Sequence, residues 1–194
     1  MNRAAGAGRA KASLQPRWSP YAGRANPPGM RHIGVISDTH GLLRPQALSA
    51  LQGSALIVHA GDVGDPQILQ ALARVAPVFA VRGNTDRGSW ARDLPARQIV
   101  EFEQHCVYVL HDLNDLDLEP VSAGLHAVIC GHSHRPKIET KDGVLYFNPG
   151  SAGPRRFDLP ISVGRLTISD GGLQAEIIDL GSVAPHHRQG RPGA

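Results

Sequence analysis

Short apolar runs that each stop at a polar turn recur in the first half of this 194-residue chain. Runs over 33–36, 55–60 and 77–81 end in Ser-Asp-Thr-His-Gly, Gly-Asp and Gly-Asn. Continuous apolar runs of this length are typical of strands buried on both faces, although a buried helix segment is the alternative for so short a run. The apolar spacing over 44–52 and 66–74 predicts helices between them. This strand–helix alternation favours parallel βαβ units.

The second half of the chain has apolar positions that alternate, with hairpin signals such as Lys-Asp-Gly at 141–143 between neighbouring runs. This pattern predicts mostly antiparallel strands. The two halves together predict an α/β (α+β) fold, a sandwich of two mixed sheets with helices outside and no internal domain boundary. The strands predicted in this half cover 98–102, 105–110, 127–129, 137–140, 144–147, 161–168 and 173–180.

The charge distribution separates the two ends of the chain from its centre. The formal net charge is +3, yet 1–29 hold five basic residues and no acidic one, and 182–194 hold two more. The central part, 30–181, carries 13 basic and 17 acidic residues. We therefore expect no nucleic-acid-binding face on it, since such a face needs clustered Lys and Arg. No apolar stretch approaches the roughly 18 residues of a membrane span, so we expect no membrane partner.

The ends of the chain have no apolar periodicity, and we expect 1–29 and 182–194 to be disordered around a single domain at 30–181. The basic leader resembles an organellar transit peptide. The alternative, which we favour, is that Met30 is the true start. Cys106 and Cys130 lie in apolar runs, which predicts buried free thiols in the reducing cytoplasm.

Seven polar side chains terminate the apolar runs, and they are the candidate chemistry of this chain. In open α/β sheets, ligands bind at the C-terminal ends of the strands. Residues two apart point the same way on an extended chain, so a carboxylate and an imidazole would converge there. Such oxygen and nitrogen donors together suit a borderline divalent metal. The seven residues are Asp38, His40, Asp62, Asn84, His111, His132 and His134.

These residues, in their order and spacing, resemble the five motif blocks of the calcineurin-like metallophosphoesterases over about residues 32–168. Asn-Pro-Gly-Ser at 148–151 and Pro-Arg at 154–155 are similar to the block that follows in the small, single-domain bacterial and archaeal phosphodiesterase branch. The resemblance implies a four-layer αββα sandwich with the metal site at the C-terminal ends of the strands. The matching blocks are Asp38-x-His40, Gly61-Asp62, Gly83-Asn84, His111 and Gly131-His132-x-His134.

The resemblance also implies two divalent ions and a phosphodiester substrate. Manganese is favoured, with iron, nickel or zinc as alternatives, and a hydroxide that bridges the two ions would attack the phosphorus in line. Asp62 would bridge the ions through its two oxygens, and Asn84 and Thr85 would be catalytic beside it. One ion would be held by Asp38, His40 and His134, and the other by Asn84, His111 and His132.

Two positions depart from the family pattern. Thr85 stands where many members have a His that protonates the leaving group, and threonine is a poor acid. Asp86, which follows it, could hold a metal-binding His, contact substrate or cap the next turn. Asp112 stands where the branch usually has Gly, which alters the loop beside the second ion.

Three further side chains have open interpretations. Arg155 and Arg156 could contact phosphate, because a guanidinium matches its oxygens, or could be solvated loop charges. His59 lies within an apolar run and is predicted to be a core histidine.

Three functions fit these residues. The first is a metal-dependent phosphodiesterase acting on a small-molecule phosphoester, and the second is a phosphomonoesterase or nucleotide phosphatase. The third is a non-catalytic scaffold, as in a retromer subunit that resembles the same branch with a degraded metal site. The complete set of seven residues counts against the scaffold. A homodimer is a fair expectation for a small enzyme.

Overall fold

Ten strands form two five-stranded sheets in the computed structural model, which describes residues 32–169 and 172–181. The predicted leader 1–29 and tail 182–194 lie outside these residues. The strands are β1 (His32–Ile36), β2 (Leu56–His59), β3 (Val78–Ala80), β4 (Arg97–Phe102), β5 (His105–Leu110), β6 (Ala127–Ile129), β7 (Lys137–Lys141), β8 (Val144–Asn148), β9 (Ser162–Ser169) and β10 (Gly172–Asp179). The helices are α1 (Pro45–Ala50), α2 (Pro66–Leu72), α3 (Ser89–Arg92) and a 3-10 turn (Leu113–Asp115).

Both sheets are mixed, with parallel strands at the positions that matter for the site. The first has the order β10-β9-β1-β2-β3. In it, β1, β2 and β3 are parallel to one another, β9 is antiparallel to β1, and β10 is antiparallel to β9. The second has the order β4-β5-β6-β8-β7, in which the central trio β5, β6 and β8 is parallel. The sequence did not predict this parallel centre. The crossover from β5 to β6 contains a 3-10 turn instead of a periodic helix, so it carries no βαβ signal.

Each central strand is buried on both faces, which explains the continuous apolar runs. On β1, Ile33 and Val35 pack between the sheets, while Ile36 packs on the outer face of the first sheet. On β5, Val107 packs between the sheets and Tyr108 on the other side. Alternate residues of one strand therefore belong to different hydrophobic clusters.

The two outer faces are covered in different ways. Leu51, which follows α1, and Leu69 on α2 cover the outer face of the first sheet. Leu125 covers the outer face of the second sheet, with Leu116 and Leu118 partly buried beside it. The sandwich of two mixed sheets is thus confirmed, with few and short helices, and the outer layer on the second sheet is the segment 113–126.

The two cysteines are free, as predicted, with Cys130 buried and Cys106 half-buried. Burial raises the pKa of the Cys130 thiol to about 12. Within the described part of the chain, no helix has the length and apolar character that crossing a bilayer requires.

Two phenylalanines test where the stability of the fold comes from. Phe147 is fully buried between the sheets, where Gly164 lies against its ring, whereas Phe157 is 91% exposed. We expect Phe147→Ala to lower the free energy of unfolding by about 3–5 kcal/mol, because it removes buried apolar surface and leaves a cavity. Phe157→Ala is the matched control and should change it by about 0.5 kcal/mol or less. Urea unfolding of both variants measures this, and equal losses would contradict it.

Candidate metal centre

The C-terminal ends of parallel strands from both sheets meet at one edge of the sandwich. There the chain leaves β1, β2 and β3 of the first sheet and β5 and β6 of the second. Parallel strands place their carboxyl ends on the same edge, so the residues that follow them become neighbours. The seven candidate residues follow these five strands and converge into one cluster of Asp38, His40, Asp62, Asn84, His111, His132 and His134.

One half of the cluster is formed by Asp38, His40 and His134. The Nε2 atoms of His40 and His134 lie 3.1 Å apart, and their rings stack at 5.1 Å. Oδ1 of Asp38 is 3.2 Å from Nε2 of His134 and 3.9 Å from Nε2 of His40. Two imidazole nitrogens and one carboxylate oxygen therefore point at a common centre.

The other half is formed around the side-chain oxygen of Asn84. This Oδ1 atom lies 3.0 Å from Nε2 of His111 and 3.1 Å from Nδ1 of His132. Asp62 connects the halves, because its Oδ2 atom is 3.3 Å from Nε2 of His111 and 3.8 Å from Nε2 of His40. His40 and His134 thus lie in one half, His111 and His132 in the other, and Asp62 lies between them.

The donor set fits divalent cations. Asp38 is fully buried, and its Oδ1 atom has no hydrogen-bond partner within the described residues. A buried carboxylate oxygen without a hydrogen-bond donor is costly unless a cation meets it. Two groups have the spacing of metal ligands, Asp38 with His40 and His134, and Asp38 with Asp62 and His111. Asp38 thus stands in both groups, whereas the sequence analysis assigned it to one ion.

Each carboxylate gives one oxygen to the protein and turns the other toward the cluster. Oδ2 of Asp38 accepts hydrogen bonds from the Ser37 hydroxyl (2.6 Å) and the His132 backbone N–H (3.1 Å). Oδ1 of Asp62 accepts one from the Thr85 backbone N–H (2.8 Å). This differs from the expectation that Asp62 shares two oxygens between two ions, since only Oδ2 faces both halves.

Close contacts shift the pKa values of Asp62 and His111. Burial alone would raise the pKa of Asp62, but the contacts with His111 and with the Thr85 N–H bring that pKa well below its usual range. Burial lowers the pKa of His111, and the nearby Asp62 and the Ala60 carbonyl outweigh it and raise that pKa overall. Nδ1 of His111 lies 2.7 Å from the Ala60 carbonyl oxygen, which fixes the proton on Nδ1 when the ring is neutral. Nε2 then faces the cluster with its lone pair.

The backbone at the cluster is strained. Five of the seven residues have φ between 46° and 64°, in the left-handed region that side chains beyond glycine rarely adopt. Such outliers concentrate at functional sites, at a cost of about 1–3 kcal/mol each. The five residues are Asp38, His40, Asp62, His132 and His134.

Glycines before the ligands allow close approach. A Cβ atom at Gly83 would collide with the backbone and carboxylate of Asp62. A Cβ atom at Gly131 would overlap the Ser37 hydroxyl and lie 2.7 Å from Oδ2 of Asp38. The Gly-Asn and Gly-His pairs of the sequence therefore reflect steric limits at these two points.

Three residues support the cluster in ways that sequence reasoning missed. Asn148 donates hydrogen bonds from Nδ2 to the Gly131 carbonyl (2.6 Å) and to the Ser133 hydroxyl (3.1 Å), and so holds the loop that carries two histidines. The Ser151 hydroxyl donates to the carbonyl oxygen of Asp38 (3.0 Å). The Asn-Pro-Gly-Ser block was visible in the sequence, but its contacts were not.

Asp86 is the third supporting residue, and its role differs from those weighed in the sequence analysis. Its buried carboxylate accepts hydrogen bonds from the backbone N–H groups of Gly64 and Gly83, each at 2.8 Å. It therefore ties together two loops that carry the cluster. These backbone contacts differ from the cap of the next turn and from the hydrogen bond to a metal-binding His weighed in the sequence analysis, while contact with substrate stays a prediction.

Of the two neighbouring arginines, Arg156 reaches the cluster. Its Nη2 atom lies 3.4 Å from Nε2 of His40, whereas the guanidinium of Arg155 lies beside Gly181. Thr85 also contacts His40, with 3.4 Å between Oγ1 and Nδ1. Of the two arginines considered as phosphate contacts, Arg156 is thus the one that lies beside the cluster, and its contact with phosphate stays a prediction.

A groove of about 220 Å³ opens beside the second half of the cluster and is lined by Arg82, Asn84, His111, Asp112 and His132, among others. A larger cavity of about 560 Å³ lies between the segment 116–121 and the turn between β7 and β8, and contains none of the seven residues. The small groove therefore gives access to the second half of the cluster, at Asn84, His111 and His132.

Comparisons with known proteins agree with this geometry. Residues 30–171 match the calcineurin-like phosphoesterase superfamily domain. A probable metallophosphoesterase of Methanothermobacter thermautotrophicus is 37% identical over 162 residues, which cover 77% of this chain and 93% of the relative. A phosphodiesterase of Methanocaldococcus jannaschii is 28% identical over 137 residues, covering 61% and 82%. Vps29 of Chaetomium thermophilum has a similar fold, with a TM-score of 0.60 at 19% identity and coverage of 76% and 97%.

His59 is a core histidine, as predicted, and it gives the stability a dependence on pH. It is fully buried, its Nε2 lies 2.9 Å from the Thr39 hydroxyl, and burial lowers its pKa from 6.5 to about 4. Between these values the unfolded chain binds the proton and the folded chain does not, so stability falls as the pH falls. From pH 7 to pH 5 this group should remove about 2 kcal/mol.

His59→Gln tests this, because glutamine reaches Thr39 with a nitrogen that does not titrate. In metal-free protein, the loss of unfolding free energy between pH 7 and pH 5 should be about 2 kcal/mol smaller in this variant than in the original chain. The exposed Phe157 supplies the control, since Phe157→Ala removes no titrating group and should leave the loss unchanged. The same pH dependence in all three proteins would contradict the assignment.

Proposed function

The chain belongs to the calcineurin-like phosphoesterase superfamily, and on that premise we propose that it is a phosphodiesterase that uses two divalent ions, with manganese as the preferred metal. The family membership confirms the resemblance inferred from the sequence. The observation that carries the proposal is that all seven side chains of the family motifs are present and converge in two halves joined by Oδ2 of Asp62.

Each residue has a defined role in this proposal. Two bound ions would supply the positive charge that neutralises phosphate and lowers the pKa of a water, which attacks the phosphorus in line. Asp62 would contact both ions through one oxygen. One ion would be held by Asp38, His40 and His134, and the other by Asn84, His111 and His132.

Thr85 acts through other residues in the proposed reaction. Its backbone N–H holds Asp62 and its hydroxyl contacts His40, so it supports both halves. Threonine does not protonate a leaving alkoxide efficiently at neutral pH. The substrates best suited to this site therefore have leaving groups that depart with little protonation.

A phosphodiester is favoured over a monoester for an electrostatic reason. A diester carries one negative charge and a monoester close to two at neutral pH. Two arginines and two aspartates line the groove, and the Asp112 carboxylate, whose Oδ2 lies 3.5 Å from Nε2 of His132, disfavours the second charge beside that ligand. One of the relatives is itself named a phosphodiesterase.

The free cysteines and the length of the chain bear on where the enzyme works and in what oligomeric state. Two free thiols, one of them buried, suit the reducing cytoplasm. A homodimer is consistent with the size of the chain. Neither inference affects the chemistry proposed for the site.

The reaction can be tested on protein stripped with a chelator and refilled with manganese. We expect manganese-dependent hydrolysis of bis-p-nitrophenyl phosphate to exceed that of p-nitrophenyl phosphate, because the diester brings a single charge to the groove. A preference for the monoester would favour the phosphatase alternative. Manganese binding without cleavage of either compound would favour a scaffold, the alternative supported by the fold of Vps29.

Asp62→Ala tests the shared ligand. It should lower kcat/KM on the diester at least about 100-fold and abolish the binding of both ions, because Oδ2 serves both halves. Asp65→Ala is the control, since Asp65 caps α2 through the Gln67 N–H and lies outside the cluster. If Asp62→Ala retains manganese-dependent hydrolysis of the diester, Asp62 is not the ligand shared by the two ions.

The neighbouring arginines offer a second matched pair. If Arg156 contacts the phosphate, Arg156→Ala should lower kcat/KM about 10-fold through the loss of a charge-assisted contact, with most of the effect in KM. Arg155→Ala removes the same charge one residue earlier in the chain and should have little effect. Steady-state kinetics on the diester measure both, and equal effects would indicate a general charge effect.

A further inference from the structure

Asp112 lies beside the second half of the cluster, at a position where the phosphodiesterase branch usually has Gly. Its Oδ1 atom accepts hydrogen bonds from the backbone N–H and from the side-chain Nδ2 of Asn114, both at 3.0 Å. Its Oδ2 atom lies 3.5 Å from Nε2 of His132. The two bonds to Asn114 fix the orientation of the carboxylate, so that its free oxygen faces the imidazole.

The opposite nitrogen of His132 faces the cluster. Nδ1 lies 3.1 Å from Oδ1 of Asn84, and the ring meets that of His111 edge to face at 5.2 Å. A neutral imidazole carries one proton, and two acceptors compete for it: Oδ1 of Asn84, 3.1 Å from Nδ1, and the carboxylate of Asp112, 3.5 Å from Nε2. The carboxylate is charged, whereas the amide oxygen is neutral and shared with Nε2 of His111, so Asp112 is the stronger acceptor and favours the proton on Nε2. Nδ1 then presents its lone pair to the cluster.

We propose that Asp112 is a positioning residue that keeps the proton of neutral His132 on Nε2 and so makes Nδ1 the ligand of an ion in the second half. This rests on the proposed function only in that an ion binds there. His132 needs such a partner because its side chain is 44% exposed, so packing does not fix its ring. His111, at 6%, is held by burial and by the Ala60 carbonyl.

Asp112→Asn separates this role from a simple loss of charge. The amide oxygen can keep the contacts with Asn114, which places the amide NH2 group beside Nε2 of His132. The NH2 group donates a hydrogen bond, so it favours the tautomer with the proton on Nδ1. That proton occupies the nitrogen that faces the cluster and opposes binding of the ion.

The experiment titrates metal-free protein with manganese by calorimetry and reads the ring nitrogens of His132 by ¹⁵N NMR without metal. In Asp112→Asn we expect the Kd of one ion to rise about 10–100-fold, with the other changed less than about twofold. The His132 signals should change from the Nε2–H form to the Nδ1–H form. Asp115→Asn removes the same charge from the same groove and should leave both readouts unchanged.

Several results would overturn the proposal. These are an unchanged pair of Kd values, an unchanged tautomer of His132, an equal effect of Asp115→Asn, or a single bound ion in the original chain. Should Asp112→Asn fail to fold, Asp112→Gly removes the carboxylate altogether and must weaken the same ion. Neither readout depends on turnover, so an inactive original chain would refute the phosphodiesterase and leave the role of Asp112 to be decided by these measurements.

Discussion

The meeting of the carboxylates of Asp38 and Asp62 at a buried edge of the sandwich is the constraint on which the rest of this structure depends. Burying such charges is costly unless each oxygen has a donor or a cation. The protein satisfies one oxygen of each carboxylate internally, through Ser37 and the backbone N–H groups of His132 and Thr85. The remaining oxygens point at imidazoles. This arrangement fits divalent ions, which agrees with the membership of the chain in the calcineurin-like phosphoesterase superfamily.

Much of the local architecture serves this arrangement. Five of the candidate ligands adopt left-handed backbone conformations, and close approach requires glycine at positions 83 and 131. Asp86, Asn148 and Ser151 tie the loops together through hydrogen bonds to the backbone. The backbone strain is tolerated because the loops that carry these ligands are anchored by strands buried on both faces. The packing of this rigid core offsets the local cost in free energy.

The same scaffold occurs in proteins whose names indicate different functions, from a phosphodiesterase to Vps29. Function therefore depends on the side chains at the strand ends and in the groove beside them. In this chain Arg156 brings a positive charge to the first half, and Asp112 brings a negative one to the second.

The sequence by itself determined the strand ends, the seven converging side chains and the burial of His59, because each follows from where apolar runs begin and stop. Only the tertiary structure decided the parallel centre of the second sheet and the contacts of Asp86, Asp112 and Arg156. Local pattern cannot predict these features. The first depends on how an irregular crossover returns the chain to the sheet. The others depend on which loops, distant in sequence, lie against each other once both sheets have packed.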